Sequence, residues 1–304
     1  MRWPDPLFAL RARREAGPPA PFVVGVGRSG TTLLRLMLDA HPELAIPPET
    51  HFLPELIEAA RRGAAPAELA ALASSSRHWG DLGLDAREYE RRLAGCERRP
   101  DRAIRALYRL YAERHGKPRW GDKTPPYVRR MPVIARALPE ARFVHLVRDG
   151  RDVLLSRRRR GMGADKSIAE TAAQWRNRVL AARRQARRLR GRYLELRYED
   201  LVADPEPPLR RICEFIELDY DPGMLRYHER APERLAEMNR DLPGAGRRGG
   251  RDAAERMAAH ALAGEPPRRD RTAAWRSEMS PEDVAEFEAV AGELLAELGY
   301  DVAS

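Results

Sequence analysis

Cysteine is nearly absent from this chain: Cys96 and Cys213 are the only two in 304 residues. They stand far apart with no histidine spacing beside either, which excludes a disulfide framework and a zinc site as organising devices. A reducing, cytoplasmic setting is the expectation that follows. Long apolar runs are missing too. The opening stretch MRWPDPLFALRARREAGPPAP has an unbroken apolar run only from Leu7 to Leu10, too short for a signal-peptide core or a bilayer span, so no membrane anchor is expected. Aromatic residues make up 7% of the chain, and they form no pattern of the kind nucleic-acid readers use. Internal repeats are absent, as are low-complexity tracts beyond the arginine-rich segments.

What is present is enough for a real core. With 43% hydrophobic residues the length allows one large domain or two ordinary ones, and a single domain over 1–304 is expected. The formal charge of +9 suits an anionic partner: nucleic acid, anionic lipid, or a small molecule carrying phosphate or sulfate. Much of that charge is arginine in an Ala- and Pro-rich chain, which a general compositional bias also explains. Three short apolar runs read as buried strands, FVVGV at 22–26, RFVHLV at 142–147 and YLELR at 193–197. Helical patterns alternate with them, so a parallel α/β sheet with right-handed crossovers is predicted. Residues 53–118 read as a helical insertion covering one end of the sheet. Residues 225–270 are charged and poorly periodic, with LPGAGRRGGRD the most loop-like part; they read as a mobile lid or a plain surface loop. SPEDVAEFEAVAGELLAELGY closes the chain as a helix with Ser280 as N-cap, Asp283 as capping-box partner and Gly299 as the stop.

The first strand runs into GVGRSGTT, almost the nucleotide-binding pattern G-x-x-x-x-G-K-[ST]. Gly25 and Gly30 have the spacing and Thr32 the hydroxyl position, but Thr31 stands where the lysine belongs. A loop passing from strand into helix still presents free backbone N–H groups and the positive end of a helix dipole. Ser29, Gly30, Thr31 and Thr32 supply those donors, and Arg28 adds a forked, permanent cation suited to one terminal anionic group. After the second strand, LVRDGRDVLLS places Arg148 and Ser156 on either side of a turn, where both can close on a second phosphate at the same sheet edge. Three readings meet this pattern: transfer from a two-phosphate donor, a nucleotide phosphotransferase with an unusual loop, and a nucleic-acid-binding module driven by charge. The second calls for a lysine after Gly30 and for magnesium; the third calls for a reader motif, which the chain lacks.

GVGRSGTTLLRLMLDAHPEL resembles the 5'-phosphosulfate loop of the sulfotransferases, and LVRDGRDVLLS resembles their 3'-phosphate motif. The resemblance implies a P-loop-type three-layer α/β fold, with a central parallel sheet flanked by helices, and the donor PAPS (3'-phosphoadenosine 5'-phosphosulfate), used without ATP or a metal. It implies that Arg28 contacts the phosphosulfate and that Arg148 and Ser156 hold the 3'-phosphate. GDKTPPYV, with Lys123, is similar to a segment whose lysine approaches the transferring group in the tyrosylprotein branch. ELRYEDLVADP, with Tyr198, resembles the segment that follows the 3'-phosphate helix there. RRDRTAAWRSEMS is a degenerate counterpart of the carboxyl-terminal phosphate loop; it lacks the usual glycines, and Arg271 and Trp275 are its assigned binding residues.

Sulfuryl transfer to a hydroxyl needs a base near the acceptor proton and positive charge at the leaving oxygen. In PPETHF, Glu49 matches the general base of the tyrosylprotein branch, whose motif is Glu-Thr-Arg. Here His51 replaces that arginine. The change puts a peptide-tyrosine acceptor in question and makes His51 a rival base, so the base is Glu49 or His51. Arg28 and Lys123 would stabilise the departing charge. His41 reads as a capping residue and His145 as core. The acceptor is a hydroxyl- or amine-bearing molecule whose class the sequence leaves open, and nothing in it indicates an oligomeric state.

Overall fold

The computed structural model describes residues 7–162, 165–242 and 252–302. Among these, the strands are β1 Ala20–Gly25, β2 Leu44–Ala45, β3 Arg119–Trp120, β4 Asp122–Lys123, β5 Ala141–Val147 and β6 Tyr193–Arg197. The main sheet is parallel throughout in the order β4-β1-β5-β6, and β2 pairs with β3 in a separate parallel piece. β1, β5 and β6 are the three expected strands, β1 starting two residues early. β2, β3 and β4 are two-residue strands, too short to leave a periodic signal.

Helices cover both faces of the sheet, which is why its central strands read as unbroken apolar runs. Phe22, Val24 and Phe143 point to one face and pack under the helices Leu53–Arg62 and Pro100–Arg114. Residues 53–118 are helical as expected, but they cover this face rather than one end of the sheet. Val23, Val144 and Leu146 point the other way, against Leu34 and Met37 of helix Thr31–Asp39 and Leu209 and Ile212 of helix Glu206–Phe215. A third cluster joins Val147 to the helices Gly150–Arg158, Ile168–Ala186 and Pro281–Glu297 through Val153, Trp175 and Phe287.

Register decides where the site lies. Gly25 is paired with Leu146 and Val23 with Lys123, so the carboxyl ends of β4, β1 and β5 sit side by side. The chain leaves β1 toward β4 and leaves β5 toward β6, and the crevice between those departures is where parallel sheets bind ligands.

Where it is described, the stretch 225–270 carries short helices, Ala231–Ala236 and Ala253–His260, with 3-10 turns Pro222–Glu229 and Ala261–Gly264. Tertiary ion pairs hold them where periodicity gives no cue: Arg234 meets Asp39 at 2.7 Å and Arg256 meets Asp81 at 2.5 Å. Residues 243–251 of LPGAGRRGGRD lie outside the described residues. In the last helix Ser280 Oγ does accept from the Asp283 N–H, but the Asp283 carboxylate pairs with Arg158 instead of returning to Ser280. Gly299 ends it in the left-handed region, φ 76°.

Candidate active site

The glycine loop spans Val26–Gly30, and helix Thr31–Asp39 begins with no side-chain cap and no acidic residue in its first turn. The first intrahelical acceptor is the Gly30 carbonyl, taken by the Leu34 N–H, so the N–H groups before Leu34 have no partner within the helix. Gly30 is required twice over. Its φ is +88°, and a Cβ there would lie 2.3 Å from the Tyr198 ring. Arg28 (φ 78°) and His51 (φ 60°) also adopt the left-handed conformation without being glycine, the sort of local strain that concentrates at functional sites.

Arg28 joins the two predicted phosphate motifs. Its Nε donates to Ser156 Oγ at 3.2 Å, and its carbonyl accepts from Arg148 Nη1 at 3.2 Å. Arg148 lies 4.6 Å above the Tyr198 ring centre and donates to the Arg271 carbonyl at 2.6 Å. The sheet edge thus gathers Arg28, Ser29, Gly30, Thr31, Thr32, Arg148, Ser156, Tyr198 and Arg271. Trp275, the other residue expected to bind there, is buried behind this edge. Its ring is enclosed by the guanidinium groups of Arg151 (3.5 Å) and Arg276 (4.7 Å), and its backbone N–H donates to Asp152. Asp152 also accepts from the Ala273 N–H, so Trp275 anchors the loop that carries Arg271.

This edge fits an anionic ligand on its own evidence. Ser29 Oγ, Arg148 Nε and Arg271 Nε are buried without a hydrogen-bond partner among the described residues, a condition that an incoming phosphate would relieve.

Lys123 links the cradle to the candidate base. It ends β4 with its side chain fully buried, donating to Glu49 Oε1 at 2.7 Å and to Thr32 Oγ1 at 3.3 Å. The other Glu49 oxygen meets His51 Nε2 at 2.7 Å. Enclosure works to raise the Glu49 pKa, but the Lys123 charge and the His51 hydrogen bond outweigh it and hold the carboxyl well below its usual range. Lys123 moves down as well, because burial disfavours its charge more than Glu49 restores it.

Several residues that sequence reasoning missed set this geometry. Asp122, on the opposite side of β4 from Lys123, accepts from Thr50, Tyr108 and Thr124, while the Thr50 N–H donates to Thr124 at 3.0 Å. These bonds clamp Glu49-Thr50-His51 beside Lys123. Burial pushes Asp122 up to about 6, against the pull of those hydrogen bonds. The His51 ring packs against His78 with the planes tilted by 32° and the centres 4.2 Å apart, and His78 faces Asp81 at 3.7 Å. His260, from the short helix Ala253–His260, reaches Thr32 with Nδ1 3.4 Å from Oγ1. Thr50 and Asp122 lay inside quoted motifs and were legible as neighbours of Glu49 and Lys123; His78 and His260 carry no local signal. His41 and His145 are structural, as expected: His41 bonds the Asp219 carbonyl and the Glu43 N–H, and His145 the Tyr193 hydroxyl.

Comparison with known proteins gives the same direction. The profile of the Sulfotransferase family matches residues 19–222. The chain is 27% identical over 218 residues to protein-tyrosine sulfotransferase 1 of Danio rerio, covering 69% of this chain and 56% of that protein. It is 28% identical over 219 residues to the protein-tyrosine sulfotransferase of Drosophila melanogaster, covering 69% and 40%. The chain therefore spans about half the length of these two relatives. The solved sulfotransferase domain of the Synechococcus PCC 7002 olefin synthase aligns over 100% of both chains with a TM-score of 0.62 and 24% identity. That of the curacin biosynthetic pathway aligns over 95% of this chain and 100% of its own, with a TM-score of 0.61 and 21% identity. Both share the fold. Since the matched profile covers most of the chain, and its span contains both phosphate motifs and the Glu49–Lys123 pair, the chain belongs to the sulfotransferase family.

Proposed function

We propose that this chain transfers a sulfuryl group from PAPS to a hydroxyl-bearing acceptor, with no metal taking part. The observation that carries the proposal is the bridge made by Lys123, which touches both the candidate base and the hydroxyl of the glycine-loop helix. PAPS supplies an activated sulfuryl group on a good leaving phosphate. Ser29, Thr31, Thr32 and Arg28 would hold its phosphosulfate end, and Arg148, Ser156, Tyr198 and Arg271 its 3'-phosphate.

The chain's own part is proton and charge handling. Lys123 turning from Glu49 Oε1 toward the donor frees that oxygen to take the acceptor proton, while His51 keeps the carboxylate in place through Oε2. Arg28 and Lys123 then face the charge that develops on the leaving side. Glu49 is the base in this arrangement, because His51 spends its Nε2 on holding Glu49. A peptidyl tyrosine is one acceptor to test, as the names of the relatives suggest; the His51 substitution points to a difference in the acceptor pocket. The buried, unpaired thiols of Cys96 and Cys213 accord with the cytoplasmic setting that forms part of this reading.

Calorimetric titration with PAP, beside ATP plus magnesium and a DNA duplex, tests the proposal. Micromolar PAP binding that survives a chelator is expected. Binding of ATP–magnesium but not PAP would replace the proposal with phosphoryl transfer.

A further inference from the structure

One half-buried side chain in the site has no part in the reaction outlined above. His260 ends the helix Ala253–His260, and its ring sits among Thr32, Lys123, Glu49 and Arg28. That helix is firmly placed. Arg256 donates to both carboxylate oxygens of Asp81, at 3.0 and 2.5 Å, and to the Arg240 carbonyl at 2.9 Å; the Ala259 carbonyl accepts from Arg28 at 3.5 Å.

One of the two neutral tautomers open to His260 places a free donor in the site. Thr32 Oγ1 accepts from Lys123 Nζ and keeps its own hydrogen, which can donate to His260 Nδ1. A ring that accepts at Nδ1 and is neutral carries its proton on Nε2. It stays neutral: burial, then the Lys123 charge with Arg28 and Arg35 adding and Glu49 opposing, pushes its pKa down to about 3. Such an imidazole is a poor base and adds no charge to a site already rich in cations. It remains a good hydrogen-bond donor, and among the described residues Nε2 has no partner.

We propose that the Nε2–H of His260 donates a hydrogen bond to an oxygen of the donor's sulfuryl group, so that the helix Ala253–His260 reads the feature by which PAPS differs from PAP. The inference rests on the sulfuryl-transfer reading above. It assigns His260 to donor recognition, apart from the base and from the phosphate cradle.

The test needs no acceptor. The full chain, with His260→Ala and His260→Gln variants whose melting curves confirm folding, is titrated calorimetrically with PAP and with PAPS. PAP affinity is expected to stay within about threefold in all three proteins, while PAPS binds His260→Ala about tenfold more weakly, the scale of one hydrogen bond to a charged group. His260→Gln, whose amide can still donate, recovers most of that loss. Equal effects on PAP and PAPS, including none, overturn the inference. So does PAP binding about tenfold tighter to His260→Ala, since the imidazole would then be an obstacle that the donor displaces. A wild-type chain that binds neither ligand removes the sulfuryl-transfer reading itself.

Discussion

Glu49 in this structure has both oxygens engaged, one by Lys123 and one by His51, so its readiness as a base depends on which partner lets go. Glu49→Gln keeps the shape and loses the proton acceptor. Turnover should fall about a thousandfold with PAP affinity unchanged; near-normal turnover would move the base to His51. The charge balance gives a second expectation. Because Lys123 and His51 hold the carboxyl well below its usual range, Glu49 remains ionised through neutral and mildly acidic pH. In Lys123→Met the raising effect of enclosure is left less opposed, so the Glu49-dependent acid limb of the residual kcat/KM profile should shift to higher pH. An unshifted limb would mean that another group controls it. At this scale much was readable. Arg28, Thr32, Glu49 and Lys123 each stand in a short motif whose chemistry is local, whereas His260 lies far from every motif and reaches Thr32 only through folding.

Among the elements, β6 offers a test independent of the chemistry. Glu195 on this strand accepts from Arg183, Tyr193 and His145. Burial works to raise its pKa, but these partners prevail and bring it down to about 2. The folded pKa lies below the unfolded value, so the stabilisation is present above about pH 4.5 and is lost as pH falls toward 2. It amounts to roughly 3 kcal/mol at most. Denaturant titrations of wild type and Glu195→Gln should differ clearly at pH 7 and converge near pH 2; a constant gap would show that the group does not titrate as described. The long strands and the closing helix were legible from apolar runs and a cap. The two-residue strands and short helices between 222 and 264 were not, because too few residues repeat to make a period and their positions come from distant partners, Asp39 for Arg234 and Asp81 for Arg256.

For the molecule as a whole, the charge of +9 has a kinetic meaning rather than a structural one. Many arginines outside the site are paired, as Arg102 is with Glu15 and Arg158 with Asp283. The summed field nonetheless favours a polyanionic ligand on approach. Stopped-flow association of PAP should slow several-fold from low to physiological salt, with a smaller change in dissociation. A salt-independent association rate would assign the charge to composition alone.

The order of residues alone carried the fold class, the strand that feeds the glycine loop, the two phosphate motifs, and Glu49 and Lys123 as candidates in two separate motifs. Each of these is written in contiguous residues whose local physics (an apolar strand, a left-handed glycine, a helix start) acts within a few positions. Tertiary structure alone decided that Arg28 spans both motifs, that Lys123 bridges Glu49 and Thr32, that Trp275 supports its loop from behind, and that His260 enters the site. Those outcomes depend on which strand lies beside which and on ion pairs between residues far apart in the chain, and neither leaves a trace in the order of neighbouring residues.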